Sequence, residues 1–131
     1  NPLKDVYKTK VYELSKWRNT TSKTNNFSVK KPIPNNILLK EPSAELAFDQ
    51  KDTDSLPNYD ELDSILEHLI EDDLSINEVI EKGFSEKIVL KVEELLRLSE
   101  YKRYQACPGP KISRRPFALG RRVPVVNHWR D

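Results

Sequence analysis

The run Asn58-Tyr59-Asp60-Glu61-Leu62-Asp63-Ser64-Ile65-Leu66-Glu67-His68-Leu69-Ile70 decides how the rest of the chain is read. Tyr59, Leu62, Ile65, Leu66, Leu69 and Ile70 recur three and four residues apart, which on a 3.6-residue turn places them on one apolar stripe. Asn58 with Glu61 has the spacing of a capping box, with Asn in place of the usual Ser or Thr. Two more helices follow closely. Ser75 and Glu78 make a capping box proper, Leu74 can staple onto Val79, and Gly83 supplies a left-handed position just past Lys82. Ser85 caps a third helix, with Phe84 and Val89 as its staple and Ile88, Val92, Leu95 and Leu96 as its buried face. That helix can continue through Tyr101-Lys102-Arg103-Tyr104-Gln105 until Pro108-Gly109-Pro110 ends it. Residues 58–105 are therefore expected to form a compact helical module, with Leu66 in its core. His68 has no Cys, His or carboxylate set at ligand spacing around it and is read as structural, with no metal site expected.

Upstream of this module, Leu39-Lys40-Glu41-Pro42-Ser43-Ala44-Glu45-Leu46 runs on through Asp49-Gln50-Lys51-Asp52 to Leu56-Pro57. Hydroxyl, carboxylate, ammonium and proline are mixed too densely there for core packing, and the spacing has neither the helical nor the strand period. Residues 39–57 read as a long polar loop: a solvated connector, or an active-site flap, since long loops inside compact domains are often lids. Earlier still, Asp5 is placed to N-cap a helix reaching about Arg18, with Tyr7, Val11, Leu14 and Trp17 on its apolar face. Lys8 falls near the start of that helix, where the dipole disfavours a cation; an anionic ligand would relieve the mismatch. Residues 19–31, rich in Asn, Thr, Ser and Lys, read as a linker. Pro32 and Pro34 then stiffen the path into the apolar Ile37, Leu38 and Leu39.

Composition frames these elements. With 131 residues the chain can build one domain, yet only 37% are hydrophobic, 33% are charged and the mean hydropathy is −0.71. The net charge of +1 conceals segregation: nine basic and two acidic residues over Asn1–Lys40, five and 18 over Glu41–Glu100, eight and one over Tyr101–Asp131. Basic flanks around an acidic middle either neutralise each other in the fold or face anionic ligands. The basic tail over residues 106–131 interleaves Arg114, Arg115, Arg121, Arg122 and Arg130 with Phe117 and Trp129, a pattern that can serve nucleic acid; the acidic body argues against that, and no nucleic acid is expected. A single cysteine, Cys107, excludes an internal disulfide and agrees with a reducing, cytoplasmic setting. No apolar run reaches membrane-spanning length. The absence of methionine and the start at Asn1-Pro2 lead to the expectation that the chain is a piece of something longer.

Several segments, taken in order, carry a resemblance. They are Asn1-Pro2-Leu3 with Asp5-Val6 and Lys8-Thr9; Val11-Tyr12 and Trp17-Arg18-Asn19; Pro42-Ser43-Ala44-Glu45-Leu46 with Asp49-Gln50-Lys51-Asp52; Leu56-Pro57 with Tyr59-Asp60; Glu100-Tyr101-Lys102-Arg103 and Gln105-Ala106; Pro108-Gly109-Pro110-Lys111; and Arg121-Arg122 with Pro124 and Asn127. Together they resemble the C-terminal portion of the synthetase domain in bacterial glutamine-dependent NAD synthetases. The resemblance spans nearly the whole chain, residues 19–31 excepted. Tyr7, where Pro is usual, and Cys107, where Pro or a small residue is common, depart from the family pattern.

What the resemblance implies is a mainly α piece, with long loops, of a Rossmann-like α/β domain of the PP-loop ATP pyrophosphatase superfamily. Such ligases use ATP and Mg2+ to adenylate the nicotinate carboxylate of deamido-NAD, and ammonia taken from glutamine then displaces AMP to give NAD. In this family Lys8 is similar to the lysine that reaches the ATP phosphates, Ser43 to a flap hydroxyl that contacts ATP, and Tyr101 with Lys102 to the pair that serves deamido-NAD. The resemblance also implies a homo-oligomer for the parent protein. Its Ser-Gly-Gly-x-Asp-Ser phosphate loop has no counterpart here: the glycines are Gly83, Gly109 and Gly120. The chain alone is accordingly expected to be inactive, to carry no catalytic residue and no bound cofactor, to expose apolar surface, and to leave residues 47–55 poorly ordered or held by a neighbouring molecule. From another class, a helical protein-interaction module accounts for the charge segregation but not for the ordered motifs.

Overall fold

A computed structural model describes residues 1–21, 31–40, 42, 56–116 and 123–125. Among them are six helices and no strand: α1 Lys8–Thr20, α2 Asn35–Leu39, α3 Tyr59–Ile70, α4 Ile76–Glu81, α5 Glu86–Leu98 and α6 Glu100–Gln105. The chain divides into two units, residues 7–59 and residues 1–6 with 60–131.

The second unit holds the core. Ile65, Ile70, Val79, Val89 and Val92 are fully buried, joined by Leu62, Leu69 and Leu96. Burying each such side chain is worth roughly 1.5–3 kcal/mol before chain entropy is counted. Two members of the α3 stripe fall short of the burial that their spacing implies: Tyr59 and Leu66 are only half-buried. On α5 Val89 takes the inner position, while Ile88 is half-buried and Leu95 is exposed.

The capping logic of α4 is realised in full. The Ser75 hydroxyl accepts from the Glu78 backbone N–H at 3.4 Å, and Glu78 Oε2 accepts from the Ser75 N–H at 2.8 Å. The Ser75 N–H, together with the Ser75 hydroxyl that donates to the same Oε2 at 2.7 Å, holds the Glu78 carboxyl below its usual range. Gly83, at φ +100°, closes the helix in the conformation that other residues resist. Ser85 stands at the N-cap of α5 with an extended backbone but without a side-chain cap bond. His68 is held by Asp72, whose Oδ2 lies 2.8 Å from Nδ1, and meets the Phe84 ring edge-on at 5.9 Å.

The segment before α1 corrects one expectation. Asp5 does not cap α1, which begins at Lys8 after Tyr7 and has no side-chain cap. The Asp5 carboxylate, 6% exposed, instead accepts from the backbone N–H groups of Ile112 at 2.8 Å and Ser113 at 2.7 Å, and from the Ser113 hydroxyl. Two amides and a hydroxyl together satisfy a buried charge better than one helix-end amide, so the distant partner wins. Gly109 belongs to the same junction. A Cβ there would lie 2.7 Å from Lys4 Cβ and 2.8 Å from the Asn1 carbonyl oxygen, so only glycine lets the two segments approach. Arg115 ties the tail to the α3–α4 connection through Asp73, with Nη1 2.6 Å from Oδ1.

In the unit of residues 7–59, α1 carries its apolar residues outward: Leu14 and Trp17 are each 50% exposed, and no residue of α1 is buried. The Asn19 side chain pairs with Ile33 like a short piece of backbone, its Nδ2 donating to the Ile33 carbonyl at 2.8 Å and its Oδ1 accepting from the Ile33 N–H at 3.2 Å. This bridge fixes the two ends of the connection between α1 and α2. Ile37, Leu38 and Leu39 form the short helix α2, on which Ile37 and Leu39 stand exposed. The expectation of disorder over residues 47–55 lies outside the described residues.

Candidate functional site

Lys8 is the first residue of α1, and no acidic side chain occupies the first turn. Its ammonium lies 5.8 Å from the centre of the Tyr59 ring and 5.9 Å from that of Tyr12. Aromatic faces attract a cation without neutralising it. The side chain is exposed. A positive group therefore stands at the positive end of a helix, held by rings and open to an anion, the combination that favours phosphate. Tyr12 is one helical turn on from Lys8 and could be found by spacing; Tyr59, 51 residues away, could not.

Tyr101 and Lys102 belong to the other unit. The third helix does not run on through them: α5 stops at Leu98, Ser99 breaks the path, and α6 starts at Glu100. At the break, the Leu96 carbonyl accepts from the Ser99 hydroxyl at 2.9 Å and from Arg103 Nη2 at 2.7 Å. Side-chain donors taking a carbonyl near a helix end compete with helix continuation. The consequence for α6 is orientation. Glu100 and Arg103, three residues apart, turn inward as an ion pair, Glu100 only 3% exposed. Tyr101 and Lys102 face outward and are exposed, with the lysine ammonium 5.9 Å from the Tyr101 ring centre. Lys4 holds the far end of α6, donating to the Cys107 carbonyl at 2.9 Å and the Ala106 carbonyl at 3.4 Å, a cation at a helix C-terminus.

Ser43 lies outside the described residues. Of the four expected binding residues, the structure thus pairs Tyr101 with Lys102 and sets Lys8 in a different unit. The residues that reading the sequence passed over are supporting ones. The i, i+3 opposite charges of Glu100 and Arg103 were a visible signal of pairing; Asp5 with Ser113, 108 residues apart, offered none. Among the described residues no group of three His, Cys, Asp or Glu side chains could hold a metal, and no helix is long and apolar enough to cross a membrane.

Comparison with known proteins places these residues in one context. The family model described as NAD synthase matches residues 1–106. The glutamine-dependent NAD(+) synthetase of Rhodobacter capsulatus is 48% identical over 132 aligned positions, covering 100% of this chain and 24% of that protein. The enzyme of the same name from Acinetobacter baylyi is 52% identical, covering 98% of this chain and 23% of that protein. Among solved structures, the glutamine-dependent NAD+ synthetase of Acinetobacter baumannii, in complex with adenosine diphosphate, superposes with a TM-score of 0.56 at 40% identity over 96% of this chain and 20% of that one. The chain spans about a quarter of the curated relatives it matches. The alignments run through the Lys8, Ser43 and Tyr101–Lys102 segments alike, so the interaction module is not favoured. On the match across residues 1–106 and the agreement of the curated relatives, the chain belongs to the NAD synthase family.

Proposed function

We propose that this chain forms the C-terminal part of the synthetase domain of a glutamine-dependent NAD synthetase and supplies binding groups for two of its substrates. The observation that carries the reading is Lys8: an exposed ammonium at an uncapped helix start, flanked by two tyrosine rings, in a chain whose structural relative is a complex with adenosine diphosphate. In the proposed reaction the nicotinate carboxylate of deamido-NAD attacks the α-phosphorus of ATP and pyrophosphate leaves. Ammonia from glutamine then adds to the activated carbonyl and expels AMP.

The work assigned to this chain is charge and placement. Lys8 sits against the triphosphate, and its ammonium stabilises the negative charge that grows on departing pyrophosphate. Ser43 adds a hydroxyl donor from the flap over residues 39–57, which closes over the acyl adenylate and keeps water from it. Lys102 attracts the anionic groups of deamido-NAD, and the exposed Tyr101 ring offers a face for a planar ring. Magnesium accompanies ATP in such reactions, but the described residues offer it no ligand cluster, so no step is assigned to it on this chain.

The Rossmann-like PP-loop architecture of the whole domain, its homo-oligomeric assembly and its cytoplasmic location are parts of the same proposal, as is the inactivity of this chain by itself. That residues 1–131 are one part of that domain, with segment limits at residues 18, 31, 57 and 105, is proposed with them. Exposed apolar residues on α1 and α2, Trp17 and Leu39 among them, support a chain that packs against more of its domain. The test is kinetic. In the full-length enzyme, Lys8→Ala and Ser43→Ala are expected to raise the KM for ATP, the former by about tenfold, the loss of one charge-assisted contact. ATP dependence equal to that of the unaltered enzyme in both variants would remove the assignment.

A further inference from the structure

Arg103 makes more contacts than a helical ion pair needs. Its Nε donates to Glu100 Oε2 at 3.1 Å, its Nη1 to the Ser99 hydroxyl at 3.0 Å, its Nη2 to the Leu96 carbonyl at 2.7 Å, and Nη2 also meets Glu100 Oε2. One guanidinium thereby joins the end of α5, the break at Ser99 and the first turn of α6. Both members of the pair are withdrawn from water, with side chains 15% and 4% exposed. Buried ion pairs contribute little net stability, because desolvation offsets most of their attraction; what they provide is a fixed geometry. Here the geometry is that of a single helical turn whose opposite side carries Tyr101 and Lys102.

We infer that Arg103, clamped by Glu100 and Ser99, is a positioning residue for deamido-NAD: it sets the angle between α5 and α6 and so aims Tyr101 and Lys102 at the substrate. The inference rests on the proposed assignment of that pair to deamido-NAD. Three features separate positioning from plain support. The contacts reach backward across the break to Leu96, seven residues away, rather than only along α6. The guanidinium fork is matched to three acceptors at once, which an ammonium cannot reproduce. The anchored side chains face away from the exposed pair, so the clamp acts on the substrate only through the orientation of the turn.

The experiment uses the full-length enzyme with ammonia as nitrogen donor. KM values for deamido-NAD and for ATP are measured for Arg103→Lys, for Arg103→Gln and for Lys102→Ala, with the melting temperature of each. Positioning predicts that both Arg103 variants raise the KM for deamido-NAD by about tenfold while the KM for ATP stays within about twofold. Retention of charge in Arg103→Lys should give no rescue. If Lys102→Ala raises the deamido-NAD KM and the Arg103 variants do not, or if they raise both KM values equally, the inference is overturned and the site assignment stands. If Lys102→Ala itself leaves the deamido-NAD KM unchanged, the site assignment fails and takes the inference with it. Should neither Arg103 variant yield folded enzyme, Ser99→Ala removes one acceptor and leaves the ion pair. It is expected to raise the deamido-NAD KM about two- to threefold, and no change would refute positioning.

Discussion

Replacing Asp5 tests the junction between the start of the chain and its tail. The carboxylate is the shared acceptor for the Ile112 N–H, the Ser113 N–H and the Ser113 hydroxyl, all between 2.7 and 3.0 Å. Asp5→Ala deletes the acceptor and leaves three donors facing the cavity. A hydrogen bond to a charged group contributes about 1.5–3 kcal/mol, but three that share one carboxylate do not add. Ser113 is half-buried, so water recovers part of the loss. The expected cost is about 2–4 kcal/mol for Ala and roughly half that for Asn, which keeps one oxygen. Because the junction is local, the loss should show as faster amide exchange at Ile112 and Ser113 before it shows in global unfolding. Backbone amide exchange resolved by residue, with urea unfolding alongside, measures both. If Asp5 were the cap of α1, protection would instead fall at the amides around Lys8, with a cost of about 1 kcal/mol. Unchanged protection at Ile112 and Ser113 in Asp5→Ala would refute the junction.

Ile65→Ala should cost about 2–5 kcal/mol, as expected for a fully buried aliphatic side chain, and Leu66→Ala clearly less; equal losses in urea unfolding would contradict the register of α3. Gly83→Ala forces an L-residue to φ +100° and should destabilise by about 1 kcal/mol, although open space surrounds the site, so a stability unchanged within about 0.3 kcal/mol would count against the left-handed cap. Glu78 has its carboxyl held below the value of 4.5 by the Ser75 bonds. Its contribution to stability is therefore complete above that value and disappears as pH falls through the lowered folded-state value. Glu78→Gln should flatten that part of the acid limb when melting temperatures are compared between about pH 6 and about pH 3, and an unchanged limb would show that the carboxylate does not contribute.

The helical module was legible because its signals are local. Ser75 with Glu78, and Gly83 after Lys82, specify caps within a few residues, and the apolar periodicity of α3 and α5 brought out most of the core. The errors lie where choice depends on distant partners. Asp5 had a nearby helix start to cap, yet Ile112 and Ser113 together offered three donors, and no spacing rule reaches across 108 residues. Ser99 looked like one more helical residue. Only the convergence of Arg103 and the Leu96 carbonyl on it explains the break that separates α5 from α6. Of the candidate site, the place of Lys8 at a helix start pointed to an anion, but its particular ligand, and Ser43, Tyr101 and Lys102 altogether, were reached through resemblance, because an exposed lysine or tyrosine has no local pattern that names its ligand. Of the supports beneath them, Arg103 carries a local sign in its charge pairing with Glu100, whereas Tyr59 meets Lys8 only in the folded chain.

Under the proposed function this chain presents one cation to ATP and another to deamido-NAD. A crossed measurement on the full-length enzyme checks both roles at once: initial rates of NAD formation for Lys8→Ala and Lys102→Ala, each titrated with both substrates. The account predicts a raised KM for ATP alone in the first variant and for deamido-NAD alone in the second. Both variants retaining the KM values of the unaltered enzyme for both substrates would contradict it.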